Sequence, residues 1–164
     1  MADRDVRRLR NALGRFATGV AILTACSPQG GNIGLTINSF SSVSLNPPLV
    51  LWSLDQRSSY YEAFRDIRRY CINVLNLQQH RLAVDFAGRQ GRIFGPQDWE
   101  MEAGSPPRLK QAAVRFECVP YAAYPTGDHT VHIARLIDFA ASDAEALVFC
   151  DGRFTQLALQ RAAV

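Results

Sequence analysis

The sequence has few of the residues that usually advertise a chemistry. It contains no Cys-x-x-Cys pair, no His-Glu-x-x-His, no Gly-x-Ser-x-Gly and no Walker A loop. These absences remove the usual zinc and dithiol ligand sets, the zincin site, the α/β-hydrolase nucleophile and the phosphate-gripping P-loop. No Gly-x-Gly-x-x-Gly follows a strand, so a Rossmann dinucleotide site has no support. Long apolar runs are also missing. The longest strand-sized candidate, 21–26 (AILTAC), is far below the roughly 18 residues a membrane-spanning helix requires, and no membrane role is expected.

Lysine is nearly absent: of 18 basic residues only Lys110 is not arginine. The arginines are scattered, and the formal net charge is only +3, so a nucleic-acid partner is not expected. The densest group, Arg4, Arg7, Arg8, Arg10 and Arg15, interleaves with Val6, Leu9, Leu13 and Phe16 at helical spacing. It reads as the wet side of an amphipathic helix over about 3–17. Charge recurs where a secretory signal would be apolar, which points to the cytoplasm. Cys26, Cys71, Cys118 and Cys150 lie far apart in apolar runs and are expected to be buried, free thiols.

With 164 residues, 48% of them hydrophobic and 20% charged, the chain is long enough for one well-cored domain, 1–164. After the helix a barrel is expected over about 18–157. Strands are predicted at 18–26, 32–38, 48–54, 70–75, 112–124, 129–139 and 146–150, with a last short one at Phe154. The stretch 39–46 reads as a polar connector. Ser59 and Glu62 form a Ser-x-x-Glu capping box opening a short helix to about Asp66, and 76–79 cap another that carries Leu82 and Phe86. The segment 88–107 reads as a long loop with Phe94 and Trp99 as isolated anchors. The elements do not alternate as βαβα. The predicted class is therefore mainly β, an antiparallel barrel with helices in the connections.

His129 and His132 form His-x-x-His, but the surrounding period of two puts them on opposite faces of a strand, where they cannot share a metal. The conspicuous feature is a polar island between two apolar strands, Thr36-Ile37-Asn38-Ser39-Phe40-Ser41-Ser42-Val43-Ser44-Leu45-Asn46-Pro47-Pro48. Short hydroxyl and amide side chains suit a neutral heterocycle that takes many hydrogen bonds, and they equally suit an ordinary loop.

The stretch from Gly34 to Leu51, GLTINSFSSVSLNPPLVL, resembles the signature of the flavin reductase-like domain family. Arg15-Phe16-Ala17-Thr18-Gly19-Val20 is similar to the family's opening motif. Phe86-Ala87 with Arg92 and Phe94, then Glu117-Cys118, then Gly127-Asp128-His129 follow in the family's order. The resemblance covers about 8–155. It implies a split β-barrel, a homodimer with flavin at the subunit interface, and NADH- or NADPH-dependent reduction of FMN or FAD for a separate monooxygenase, which receives the reduced flavin by diffusion.

Carried onto this sequence, the resemblance assigns Thr36, Asn38 and Ser39 to the flavin ring or ribityl chain, with Ser42 and Ser44 beside them. Arg57, Ser58 and Ser59 become a phosphate site at a helix start, where free N–H groups favour an anion; Ser59 is alternatively occupied in capping its own helix. Arg92 is a second phosphate candidate, and Phe86 and Ala87 wall the ring. His129 either orients the nicotinamide or merely begins a strand after a Gly-Asp turn. His80 and His132 are read as structural. A competing reading keeps the barrel and the flavin but not the catalysis: a flavin-binding module or carrier.

Overall fold

The computed structural model describes residues 3–88 and 93–158. Three helices, α1 (Asp3–Leu13), α2 (Tyr61–Asp66) and α3 (His80–Ala87), accompany twelve strands. In chain order the strands are β1 (Thr18–Gly19), β2 (Ala21–Cys26), β3 (Asn32–Ile37), β4 (Ser41–Leu45), β5 (Pro48–Asp55), β6 (Tyr70–Val74), β7 (Trp99–Glu100), β8 (Arg108–Leu109), β9 (Val114–Thr126), β10 (His129–Ala141), β11 (Val148–Cys150) and β12 (Arg153–Thr155). The main sheet has seven strands in the order β3-β2-β6-β9-β10-β5-β4, paired antiparallel throughout. Its hydrogen bonding runs from edge to edge without closing among the described residues. The fold is mainly β, antiparallel, with helices in the connections.

Strand β2 is apolar on both faces because each face meets a different cluster. Ala21, Leu23 and Ala25 point into a core shared with Trp52, Phe64 and Ile72. Val20 and Ile22 join a second cluster with Phe86, Trp99 and Leu109. Period-two alternation thus builds two packed layers around one sheet. The buried Asn73 side chain between them is satisfied: its amide donates to the Ile22 carbonyl at 2.9 Å, and its oxygen accepts the Leu109 N–H at 2.8 Å.

Several expectations need correction. Helix α1 stops at Leu13, four residues early, as the chain turns through Gly14. The predicted 18–26 strand breaks at Val20: β1 pairs with β11, whereas β2 pairs with β3 and β6. The polar connector contains a strand, β4, on the edge against β5, where serines meet solvent and need no apolar partner. The Ser59–Glu62 capping box does not form. Helix α2 starts at Tyr61 with Tyr60 as its cap and no side-chain capping bond; Glu62 pairs with Arg65 instead. By contrast, Asn76 and Gln79 do form a reciprocal capping box, on a single 3-10 turn leading into α3. Phe94 and Trp99 are not isolated anchors: they and Phe86 form a three-ring cluster with centroids 5.0–5.3 Å apart. All four cysteines are free, but only Cys71 and Cys118 are buried; Cys26 and Cys150 are half-buried.

Candidate active site

A cleft of about 310 Å³ lies on the outer face of β5, between the end of β3, the start of β10 and the C-terminal end of α3. Its floor follows from alternation. Val50, Trp52 and Leu54 point into the core, so Ser53 and Asp55 point the other way. His129, the first residue of β10, pairs across the ladder with Asp55 and so arrives at the same face. Thr36, Asn38 and Ser39 enter from β3 and its connector, Ser58 from the turn before α2, and Phe86 and Ala87 from α3.

The local bonds explain how these residues are held. The Thr36 hydroxyl donates to the Ala83 carbonyl at 2.7 Å, which ties α3 to β3 and sets the Phe86 ring against the cleft. Gly34 permits that approach: a Cβ there would stand 2.7 Å from the ring of Phe86. The Ser39 hydroxyl accepts the Ser53 N–H at 2.9 Å and clamps the connector onto β5. The Ser58 hydroxyl accepts the Tyr60 N–H at 3.3 Å. Asn38 is exposed, and its side chain makes no bond to the other described residues. Its amide is available to a ligand as both donor and acceptor.

Charge in the cleft is tightly organised. Arg57 grips Asp55 through its backbone N–H at 2.8 Å, Nε at 3.1 Å and Nη2 at 2.8 Å. Those bonds hold the Asp55 carboxyl far below the usual carboxylate range. Asp128 Oδ1 lies 2.7 Å from His129 Nδ1, and this bond lowers the Asp128 carboxyl too. With Nδ1 engaged by a carboxylate, Nε2 is the ring nitrogen left for a ligand.

Not every predicted residue converges here. Ser42 and Ser44 lie on β4, outside the cleft lining, and Ser59 is exposed in the turn before α2. Arg57 stands at the rim, 80% exposed and committed to Asp55. Arg92 lies outside the described residues. Sequence reasoning missed Ser53 and Asp55, although two polar residues at alternate positions in the otherwise apolar strand PLVLWSLD were a usable signal. His132, on the opposite face of β10, stacks on Trp52 instead, with centroids 4.3 Å apart.

The flavin reductase like domain family matches residues 13–158. The chain belongs to this family. It is 43% identical over 154 residues to FMN reductase (NADH) SmoA of Agrobacterium fabrum, covering 94% of this chain and 87% of that protein. It is 38% identical to an NADH-dependent flavin reductase of a Rhodococcus species, over 92% of this chain and 86% of the relative. Other curated relatives are longer. The chain spans 49% of the reductase component of the flavin-dependent trigonelline monooxygenase of Acinetobacter baylyi, at 33% identity over 93% of this chain. Among solved structures, the NADH:FAD oxidoreductase SgcE6 of Streptomyces globisporus, in complex with NAD and FAD fragments, aligns with a TM-score of 0.89. That alignment has 30% identity and covers 99% of this chain and 98% of the other.

Proposed function

We propose that this flavin reductase family member uses NADH or NADPH to reduce FMN or FAD and supplies the reduced flavin to a separate monooxygenase. The observation that carries this reading is the meeting of Thr36, Asn38, Ser39, Ser58, Phe86, Ala87 and His129, drawn from four separate segments, in one cleft. Flavin, when bound, supplies a hydride acceptor, and the nicotinamide supplies the hydride.

The donor set suits that group. A neutral heterocycle with many acceptors and one imide N–H meets the unpaired Asn38 amide, the His129 ring and the backbone of the connector. The one carboxylate in the cleft wall among the described residues, Asp55, is paired with Arg57, so it opposes an electron-rich ring little. Phe86 offers an apolar wall. Ser39 and Thr36 act mainly by fixing the connector and α3, since both hydroxyls already hold backbone partners. His129, steadied by Asp128, presents its ring to the nicotinamide. Hydride transfer requires alignment of two rings at roughly 3–3.5 Å rather than a protein acid or base, which fits a cleft with no nucleophile–base pair. A phosphate would sit near Arg57, Ser58 and Ser59, or near Arg92.

The same reading includes a split barrel and a homodimer. Leu45 (93% exposed), Phe16 (79%) and Phe139 (68%) leave apolar surface that a second copy would cover. The deciding experiment is stopped-flow absorbance at the oxidised flavin band with NADH or NADPH and saturating FMN or FAD. Bleaching is expected with at least one donor. Flavin binding without bleaching by either donor would identify a carrier instead. In the His129→Ala variant, unchanged turnover together with an unchanged KM for the donor would remove the role given to His129.

A further inference from the structure

Helix α1 has no cover. Val6, Leu9, Leu13 and Phe16 recur at spacings of three and four and make one apolar stripe along the helix and the turn after it. Yet Leu9, Leu13 and Phe16 are exposed, and none of the four joins either core cluster. From Arg4 onward, no side chain of the helix has a hydrogen bond or ion pair among the described residues. Only its base is fixed: the Gly14 carbonyl accepts the Asp151 N–H at 2.6 Å, and the Arg15 carbonyl accepts the Cys150 thiol at 3.6 Å. A helix of 11 residues is marginal in water unless its apolar face is packed. This one therefore needs a surface that its own chain does not give it.

A surface of the right kind is open elsewhere. Strand β5 accompanies β10 only to Arg135, whereas β9 continues to Ala141, so 136–141 is paired on one side only among the described residues. On this open edge Ile137 and Phe139 are exposed. The charged side chains over 135–145 are all exposed and comprise Arg135 against Asp138, Asp143 and Glu145. The helix segment 4–16 has the opposite balance, with Arg4, Arg7, Arg8, Arg10 and Arg15 against Asp5. The helix is about 16 Å long, and the six residues of the edge span about 20 Å.

We propose that α1 of one protomer lies across the open edge of β10 in a second copy, its apolar stripe on Ile137 and Phe139 and its arginines beside Asp138, Asp143 and Glu145. Two-fold symmetry makes the exchange reciprocal. Three considerations favour this occupant. Both surfaces carry apolar residues flanked by charge, of opposite sign on the two. An open strand edge is protected when a helix covers it. Pairing α1 with a second α1 would instead set five arginines against five. An anionic membrane also suits an arginine-rich amphipathic helix, but it leaves the β10 edge bare. The inference rests on the homodimer of the functional reading and uses no cleft residue.

The test is sedimentation equilibrium of the intact protein and of two double variants. Arg7→Glu with Arg10→Glu reverses the charge beside the stripe, and Asp138→Arg with Asp143→Arg reverses the edge. Each double variant alone is expected to raise the dimer dissociation constant by at least about tenfold. An equimolar mixture should recover the unaltered value, because in the heterodimer each helix meets an edge of opposite charge. Double variants that dimerise as tightly as the unaltered protein would overturn the inference and leave the homodimer standing, as would weakened variants that do not recover on mixing. An unaltered protein that stays monomeric at every concentration reached would overturn both. Binding of the unaltered protein to phosphatidylserine vesicles, lost in the helix variant while its dimerisation is unchanged, would assign α1 to a membrane instead. If either double variant does not fold, Leu13→Asp, on the exposed stripe, is measured in its place: the same loss of dimer affinity is expected, and an unchanged dissociation constant would overturn the inference.

Discussion

Replacing Gly34 with alanine tests how the cleft wall is made. A Cβ at this position would lie 2.7 and 2.8 Å from two carbons of the Phe86 ring and 3.0 Å from Phe94 Cζ. Reaching an ordinary carbon–carbon separation of about 3.5 Å requires the ring to move by roughly 0.8 Å. Phe86 has little room to do so, being 1% exposed and packed between Phe94 and Trp99 with centroids at 5.2 and 5.3 Å. Overpacking of this kind costs about 1–3 kcal/mol. Removing a strand glycine returns only about 0.5–1 kcal/mol. Taking the middle of each range, the net loss of about 1.25 kcal/mol corresponds to a Tm lower by about 2.5–5 °C for a chain of this size. Because Phe86 also lines the cleft, FMN affinity should weaken alongside. The control is Gly19→Ala, where the added Cβ meets nothing within 4 Å, so Tm should hold or rise. Thermal unfolding by circular dichroism and FMN titration by fluorescence read both effects. A Gly34→Ala protein as stable as the Gly19→Ala protein, with unchanged FMN affinity, would refute the packing argument.

Thr36→Val removes the bond to Ala83 and should cost about 1 kcal/mol, lowering Tm by a few degrees even without flavin. Asn38→Ala should leave Tm unchanged yet weaken FMN binding, because the side chain is exposed and holds nothing in place; an unchanged Kd would remove Asn38 from the site. Glu117 is buried between Arg69 and Arg108; burial alone would raise its carboxyl, but bonds from the two guanidinium groups outweigh it and hold the group below its usual 4.5. Its contribution is therefore complete above about pH 4.5 and lost as pH falls through the folded value. Glu117→Gln should cost about 1–2 kcal/mol near pH 7, since both arginines are partly exposed, and its urea midpoint should approach that of the unaltered protein below about pH 4.5. A gap that stays constant from pH 7 to 3 would contradict this.

The strands were legible because period-two alternation is a local property. AILTAC, PLVLWSLD and YCINVL each became a strand of the main sheet. The misses came where a non-local partner decides the outcome. Nothing within 39–46 distinguishes a connector from an edge strand; the pairing with β5 does. Ser59 and Glu62 have capping spacing, yet the turn held by Asp55 and Arg57 delays the helix until Tyr61. The resemblance identified most of the cleft lining, but not which hydroxyls are free. Thr36 and Ser39 look like ligand donors in sequence and prove to be tethers once the Ala83 carbonyl and Ser53 backbone are seen beside them. His132 was read as a structural residue. The sheet indeed stacks it on Trp52, but it also leaves Nε2 without a partner among the described residues, which no local pattern could show.

The pairing of β5 with β10 is what makes this arrangement economical. The two strands are in continuous register from His129–Asp55 to Arg135–Leu49, so their outward residues are placed by the same ladder that positions the core. Ser53, Asp55 and His129 therefore need no further device to stay in line. Ser39 adds the connector to the same strand through the Ser53 N–H, and Thr36 adds α3 to β3. A reaction governed by the spacing of two stacked rings depends on this kind of rigid placement. The inward residues of the same ladder, Trp52 and His132, stack ring on ring with centroids 4.3 Å apart, so the two strands that carry the cleft are also tied together on their core side.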